Sequence, residues 1–185
     1  MDTSNTWPDL AETKLSQFKS TKTPRPVLYR RRWHRDALIQ LTLRPEIHLI
    51  SNSIVASECE CCFCVDVTSG QRNMTIAYSE HDQRSPVCPS ELIVSRSYVL
   101  AEPRCSSARD IWKNRNFPLS ISHRISMLEL VTSNCGEVSL RSLLTGSSDS
   151  DVLIGTAMRM VCEGHLTLDL DSLITPETLL TLIRR

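Results

Sequence analysis

With 185 residues, 41% of them apolar, the chain is long enough to bury one fair core or two small ones. Its 21 basic and 21 acidic residues balance overall, yet residues 1–50 carry nine basic against five acidic, residues 51–119 seven against eight, and residues 120–185 five against eight. No 18-residue apolar run offers a membrane span, the first residues lack the pattern of a secretory signal, and eight cysteines then read as reduced thiols, so a cytoplasmic, nucleoid-associated protein without membrane contact is expected.

Residues 1–26 are polar, hold Pro8, Pro24 and Pro26, and read as a basic arm that ends in extended chain. Residues 19–35 contain Lys19, Lys22, Arg25, Arg30, Arg31, Arg32 and Arg35 and no acid. They lead into a predicted helix over residues 27–43, with Trp33, Ala37, Leu38 and Leu41 on one face and Pro45 just beyond. A cationic arm feeding an amphipathic helix is the pattern of a phosphate contact. Its alternative is a solvated basic face.

Residues 47–55 then alternate as a strand, and the runs Cys61–Val67 and Met74–Tyr78 flank Thr68–Asn73 as a hairpin. Cys59, Cys61, Cys62 and Cys64 contain two overlapping C-x-x-C spacings. Four zinc ligands must converge tetrahedrally, whereas one strand sends Cys59 and Cys61 to one face and Cys62 and Cys64 to the other. Buried thiols in a core strand are the better reading of this cluster. A loop follows at 80–90, a helix is predicted over 90–102 with Ser90 as its cap, and Cys105–Trp112 reads as a turn into a short element.

From Ser120 the pattern becomes helical: Ile121–Thr132 is predicted to be closed by Gly136, Val138–Leu144 to be a second short helix, and Asp151–Cys162 a third, closed by Gly164. His165–Leu170 alternates as a strand, and Thr175-Pro-Glu177 signals a last helix. Three helices with a β-wing make a winged helix-turn-helix. Its third helix offers Arg159 against Asp149 and Asp151, a poor charge pattern for entering a DNA groove, so protein docking is expected of this unit. The expected fold is α+β, with an arm at 1–26, an α/β domain at 27–118 and a winged helix at 119–185.

In the register of Ser20, Lys22, Arg25, Val27, Tyr29, Arg35, Asp36 and Pro45, the chain resembles TnsA, the endonuclease subunit of heteromeric, Tn-seven-type transposases. The resemblance runs in order over residues 18–185. It implies a restriction-endonuclease-like core and, as partners, DNA, an integrase-type transposase subunit and an AAA+ regulator. It also implies a carboxylate metal site on the hairpin, where only Asp66 is in place. Arg30 and His34 stand where the family carries acid on the leading helix, and Thr75-Ile-Ala-Tyr-Ser79 supplies neither the Glu nor the Lys of the second strand. The expectation is a non-catalytic subunit, with His34 and Asp66 as remnants, no resident cofactor, and DNA contact through the seven cations of residues 19–35. Two alternatives stand beside it. One is an active magnesium-dependent endonuclease that cuts transposon 5′ ends, its site completed by Glu58, Glu60 or Glu80; the other is a regulator or adaptor derived from a mobile element.

Overall fold

The computed structural model describes residues 15–52, 62–67, 70–76, 91–145 and 150–183, and the fold is mixed α+β. The chain opens with a small antiparallel pair, β1 (Ser16–Phe18) on β2 (Val27–Tyr29), in the register Phe18 to Val27 and Ser16 to Tyr29. The described part of the expected arm is therefore folded. It is held by the backbone bond from Ile50 N–H to the Lys22 carbonyl (2.8 Å) and by Asn52, whose Oδ1 accepts from Leu28 N–H (3.1 Å).

The first helix is shorter than the spacing predicts. Val27, Leu28 and Tyr29 suit an extended strand, and α1 starts at Arg32 and runs to Leu43. Its inner face buries Ala37, Leu38, Ile39 and Leu41. Burying each large aliphatic side chain of this kind contributes about 1.5–3 kcal/mol.

A four-stranded sheet follows in the order β3 (Ile47–Asn52), β4 (Cys62–Val67), β5 (Gly70–Ile76) and β6 (Glu91–Val94). The first two pairings are antiparallel and β5–β6 is parallel. A bulge between Ile47 and Leu49 adjusts the register of β3, bringing Ile50 opposite Val65, both buried. Val67 pairs with Gly70, so β5 begins four residues before the predicted Met74 and takes Gln71, Arg72 and Asn73 into the strand. Gly70 opens β5 at φ 120°, a backbone conformation that a residue without a side chain adopts freely. The predicted loop at 80–90 lies outside the described residues.

The expected helix over 90–102 is replaced by β6 and a single turn, α2 (Arg96–Val99). Leu92-Ile-Val94 satisfies its backbone against β5. The cap belongs to Ser95, whose Oγ accepts from Tyr98 N–H at 3.2 Å. The following segment is a full helix, α3 (Arg104–Lys113), continued by a 3₁₀ turn at Asn114–Asn116.

The C-terminal part runs α4 (Ile121–Ser133), β7 (Glu137–Ser139), α5 (Leu140–Thr145), α6 (Ser150–Glu163), β8 (Leu166–Thr167) and β9 (Leu179–Leu182), with sheet order β7-β9-β8. Ser120 caps α4 through His123 N–H (3.1 Å); the left-handed position after α4 is taken by Cys135 (φ 63°) with Gly136 (φ 95°) behind it, whereas after α6 it is taken by Gly164 (φ 75°). Three sequence expectations change here. Val138 and Ser139 are strand, the predicted strand at 165–170 keeps only Leu166 and Thr167, and the predicted last helix is a turn at Pro176–Glu177 that leads into β9. Thr175 Oγ1 does accept from Glu177 N–H (3.3 Å), but the cap serves one turn, because Leu180 is drawn fully into the core between β7 and β8.

One continuous core joins Phe18, Leu38, Ile50, Ile111, Met160 and Leu180. Among the described residues no helix is long and apolar enough to cross a membrane.

Candidate nucleic-acid interface

The basic stretch of residues 19–35 does not act as one patch. Lys22 is buried, and its Nζ donates to the Arg44 carbonyl at 2.5 Å, so the ammonium satisfies an orphan carbonyl at the C-terminus of α1. Lys19, Arg25, Arg30, Arg31 and Arg32 are exposed, and Arg35 is half-buried. Among the described residues Lys19, Arg25, Arg30, Arg32 and Arg35 have no carboxylate partner. Arg104, Arg109, Arg124, Arg141 and Arg159 all do. The cations at the start of α1 thus crowd the positive end of a helix whose first turn has no acid. That placement is unfavourable by about 0.3–1 kcal/mol per charge at an exposed terminus, and an anionic ligand relieves it.

His34 sits at the third position of α1 and is 0% exposed. Its Nδ1 accepts from Arg31 N–H at 3.4 Å, so the imidazole covers the helix start from inside. Its ring also meets Trp33 edge-on, with centroids 4.3 Å apart. Asp36 lies 2% exposed and is held by Arg109 of α3, with Nε to Oδ1 at 2.9 Å and Nη2 to Oδ2 at 2.6 Å. Those bonds raise the guanidinium further above its ordinary pKa and fix α1 on α3.

Asp66 is half-buried on β4, opposite Leu49 of β3 and Gln71 of β5. Strand parity places it with Cys64 on the face away from Val65. Among the described residues the donors do not gather around a divalent cation. Strand β5 contains no carboxylate, the remnant histidine is enclosed in α1, and among the described residues no three His, Cys, Asp or Glu gather into a ligand set. Cys59, Cys61, Glu58, Glu60 and Glu80 lie outside the described residues, as does the side chain of Cys62; Cys64 is half-buried. Elsewhere burial raises the Cys105 thiol and pushes Cys162 up to about 12.

Helix α6 is covered from Gly155 onward, while Ser150–Ile154 are exposed or half-buried. Gly155, Thr156, Ala157, Met158, Met160, Val161 and Cys162 are all buried, and the helix packs on α3, α4 and the 3₁₀ turn. The loop after β8 is tied to α3 by Arg104 Nε to Asp171 Oδ1 (2.5 Å) and by Ser107 Oγ to the Ser172 carbonyl (3.1 Å). Spacing in the sequence does not reveal the Asp36–Arg109 pair, 73 residues apart. Nor does it reveal that Arg115 and Arg159 line one groove with Lys19. Compared with family models, with curated proteins and with solved structures, the chain gives no match in any of the three.

Proposed function

We propose that the chain is a TnsA-like subunit of a transposition machinery whose nuclease centre has been lost, and that it contacts DNA and docks its protein partners. The observation that carries the DNA contact is the set of exposed cations at the positive end of α1 that have no carboxylate partner among the described residues. Three further features support the reading. Helix α1 followed by β3-β4-β5-β6, two antiparallel pairings and then a parallel one, suits a restriction-endonuclease-like core. The order α4-β7-α5-α6-β8-β9, with β9 central, suits a winged helix. Asp66 faces a neighbouring strand that has no acid.

Protein docking is favoured over groove reading for the C-terminal unit, because the first turn of α6 carries Asp151 and Arg159 is paired with Glu163. On α4, Ile121 (79% exposed) and Ile125 (50% exposed) form an outward apolar stripe fitted to a partner. A subunit without cleavage leaves the transposon 5′ ends uncut and favours cointegrate products over cut-and-paste.

The test is duplex-DNA binding across a salt series for the chain and for its Arg30→Gln/Arg32→Gln/Arg35→Gln variant. The slope of log affinity against log salt should fall by about 0.9 for each phosphate that the variant no longer neutralises. An unchanged slope turns the patch into a solvated face. A magnesium- or manganese-dependent nicking assay with Asp66→Ala as control should show no activity above background. Cleavage abolished by that substitution would establish the endonuclease reading in its place.

A further inference from the structure

We infer that a second phosphate-binding groove lies between the β1–β2 loop, the end of α3 and α6, and that it takes the sugar–phosphate backbone of the DNA bound at the start of α1. The inference rests on the DNA-contacting part of the proposed function and is independent of transposition. The groove encloses about 350 Å³ and presents Lys19, Arg115 and Arg159 against a single carboxylate, Glu163. That carboxylate is already neutralised: Oε1 accepts from Arg159 Nε (2.7 Å) and Oε2 from Arg124 Nη2 (2.6 Å).

The remaining donors have capacity to spare. Lys19 is exposed and has no polar partner among the described residues. Arg115 gives one N–H to the Trp112 carbonyl (3.2 Å) and lies over the Trp112 ring at 5.4 Å, which sets its orientation and leaves its other nitrogens open. The Ser20 hydroxyl accepts from Lys22 N–H (3.2 Å) and keeps its own proton to donate, and the Asn116 amide adds a further donor on the rim.

Trp112 is buried and stacked on Phe18 (centroids 5.3 Å apart), so among the described residues the groove has no aromatic face for a base. It is suited to phosphate and not to nucleobase, and its contact carries no sequence information. Strand pairing also sets its distance from the first patch. Lys19 follows Phe18 at one end of the β1–β2 pair and Arg30 follows Tyr29 at the other. Three strand residues stand between them, so four residue steps separate the two by roughly 13 Å along the pair. That is about four phosphate steps at an axial rise of about 3.4 Å per strand, so one backbone reaches both places.

The experiment measures the salt dependence of duplex binding by the full chain with Lys19→Gln, with Lys19→Gln/Arg115→Gln and with Arg30→Gln/Arg32→Gln/Arg35→Gln, each checked for an unchanged melting temperature. Lys19→Gln alters an exposed side chain with no polar partner among the described residues, so it keeps the test sharp if the double variant folds poorly. A fall in slope of about 0.9 for each phosphate the groove ceases to hold, additive with the fall from the α1 variant, supports the groove. Groove variants that match the parent while the α1 variant loses slope overturn the groove and leave the proposed DNA contact standing. The reverse result removes the α1 contact and with it the backbone that the groove is inferred to share, so it too overturns the inference. Titration with inorganic phosphate alone is the further arm: binding that depends on Lys19 and Arg115, with the duplex slope unchanged in their variants, makes this a small-anion site and overturns the inference.

Discussion

Asp36 is the charge on which the interior most depends. Its carboxylate is almost wholly buried and relies on Arg109, which remains 38% exposed at its side chain. Removing the guanidinium leaves a buried charge uncompensated, so Arg109→Met is expected to destabilise the fold by roughly 3 kcal/mol, the low end for one-sided loss of a buried pair because of that exposure. Replacing both, Asp36→Asn with Arg109→Met, should cost less than Arg109→Met alone; urea midpoints check the order, and equal losses would mean the carboxylate has another counter-charge. Lys22 makes the converse case. Lys22→Met should lower stability by about 1–2 kcal/mol through the missing bond to the Arg44 carbonyl, with the salt slope of DNA binding unchanged. A reduced slope would return this lysine to the phosphate-binding set. The Cys162 thiol carries a pH dependence: its folded pKa is raised from 9.0 to about 12 by burial. The folded chain therefore holds a proton that the unfolded chain releases above pH 9. The stability it contributes is full below 9 and is lost as pH rises towards 12. Alkylation at pH 8 followed by mass spectrometry should label exposed Cys135 and spare Cys105 and Cys162 until the chain is unfolded.

Among the elements, α6 is the one whose packing most limits what the protein can do. A Cβ on Gly155 would stand 2.4 Å from Phe117 Cε2, so the close approach of helix and 3₁₀ turn needs a residue without a side chain. Gly155→Ala gains up to about 1 kcal/mol in helix propensity, yet it should lower the melting temperature because the Phe117 ring must move. In a Phe117→Ala background the same substitution should become stabilising. If Gly155→Ala raised the melting temperature by itself, the ring would not be seated there. The elements that escape a reading from sequence are β6 and β9. Leu92-Ile-Val94 suits a helix face and a buried strand equally, and only β5 alongside decides between them. Leu179-Leu-Thr-Leu182 follows a sound helix-start signal, but its backbone is claimed by β7 and β8 on either side. In both cases pairing outweighs local propensity.

At the scale of the whole molecule, the apolar core passes without a break from the first strand pair to β9. Unfolding is therefore expected to be a single transition, with tryptophan fluorescence and far-UV circular dichroism coincident in urea. Two separated transitions would mean that the part from residue 119 onward folds by itself. What the sequence determined by itself was local. The apolar face of α1, the end of α6 at a glycine of positive φ, the antiparallel pairing of β4 with β5 and the missing acid on β5 each depend on neighbours a few positions apart. Tertiary structure decided which cations are free. Lys22 turns inward to cap a helix, and Arg109 is spent on Asp36. Arg115 and Arg159 meet Lys19 from 96 and 140 positions away. Spacing records periodicity and caps, because those are set within one or two turns of chain. Charge neutralisation and strand pairing are settled between segments that only folding brings together.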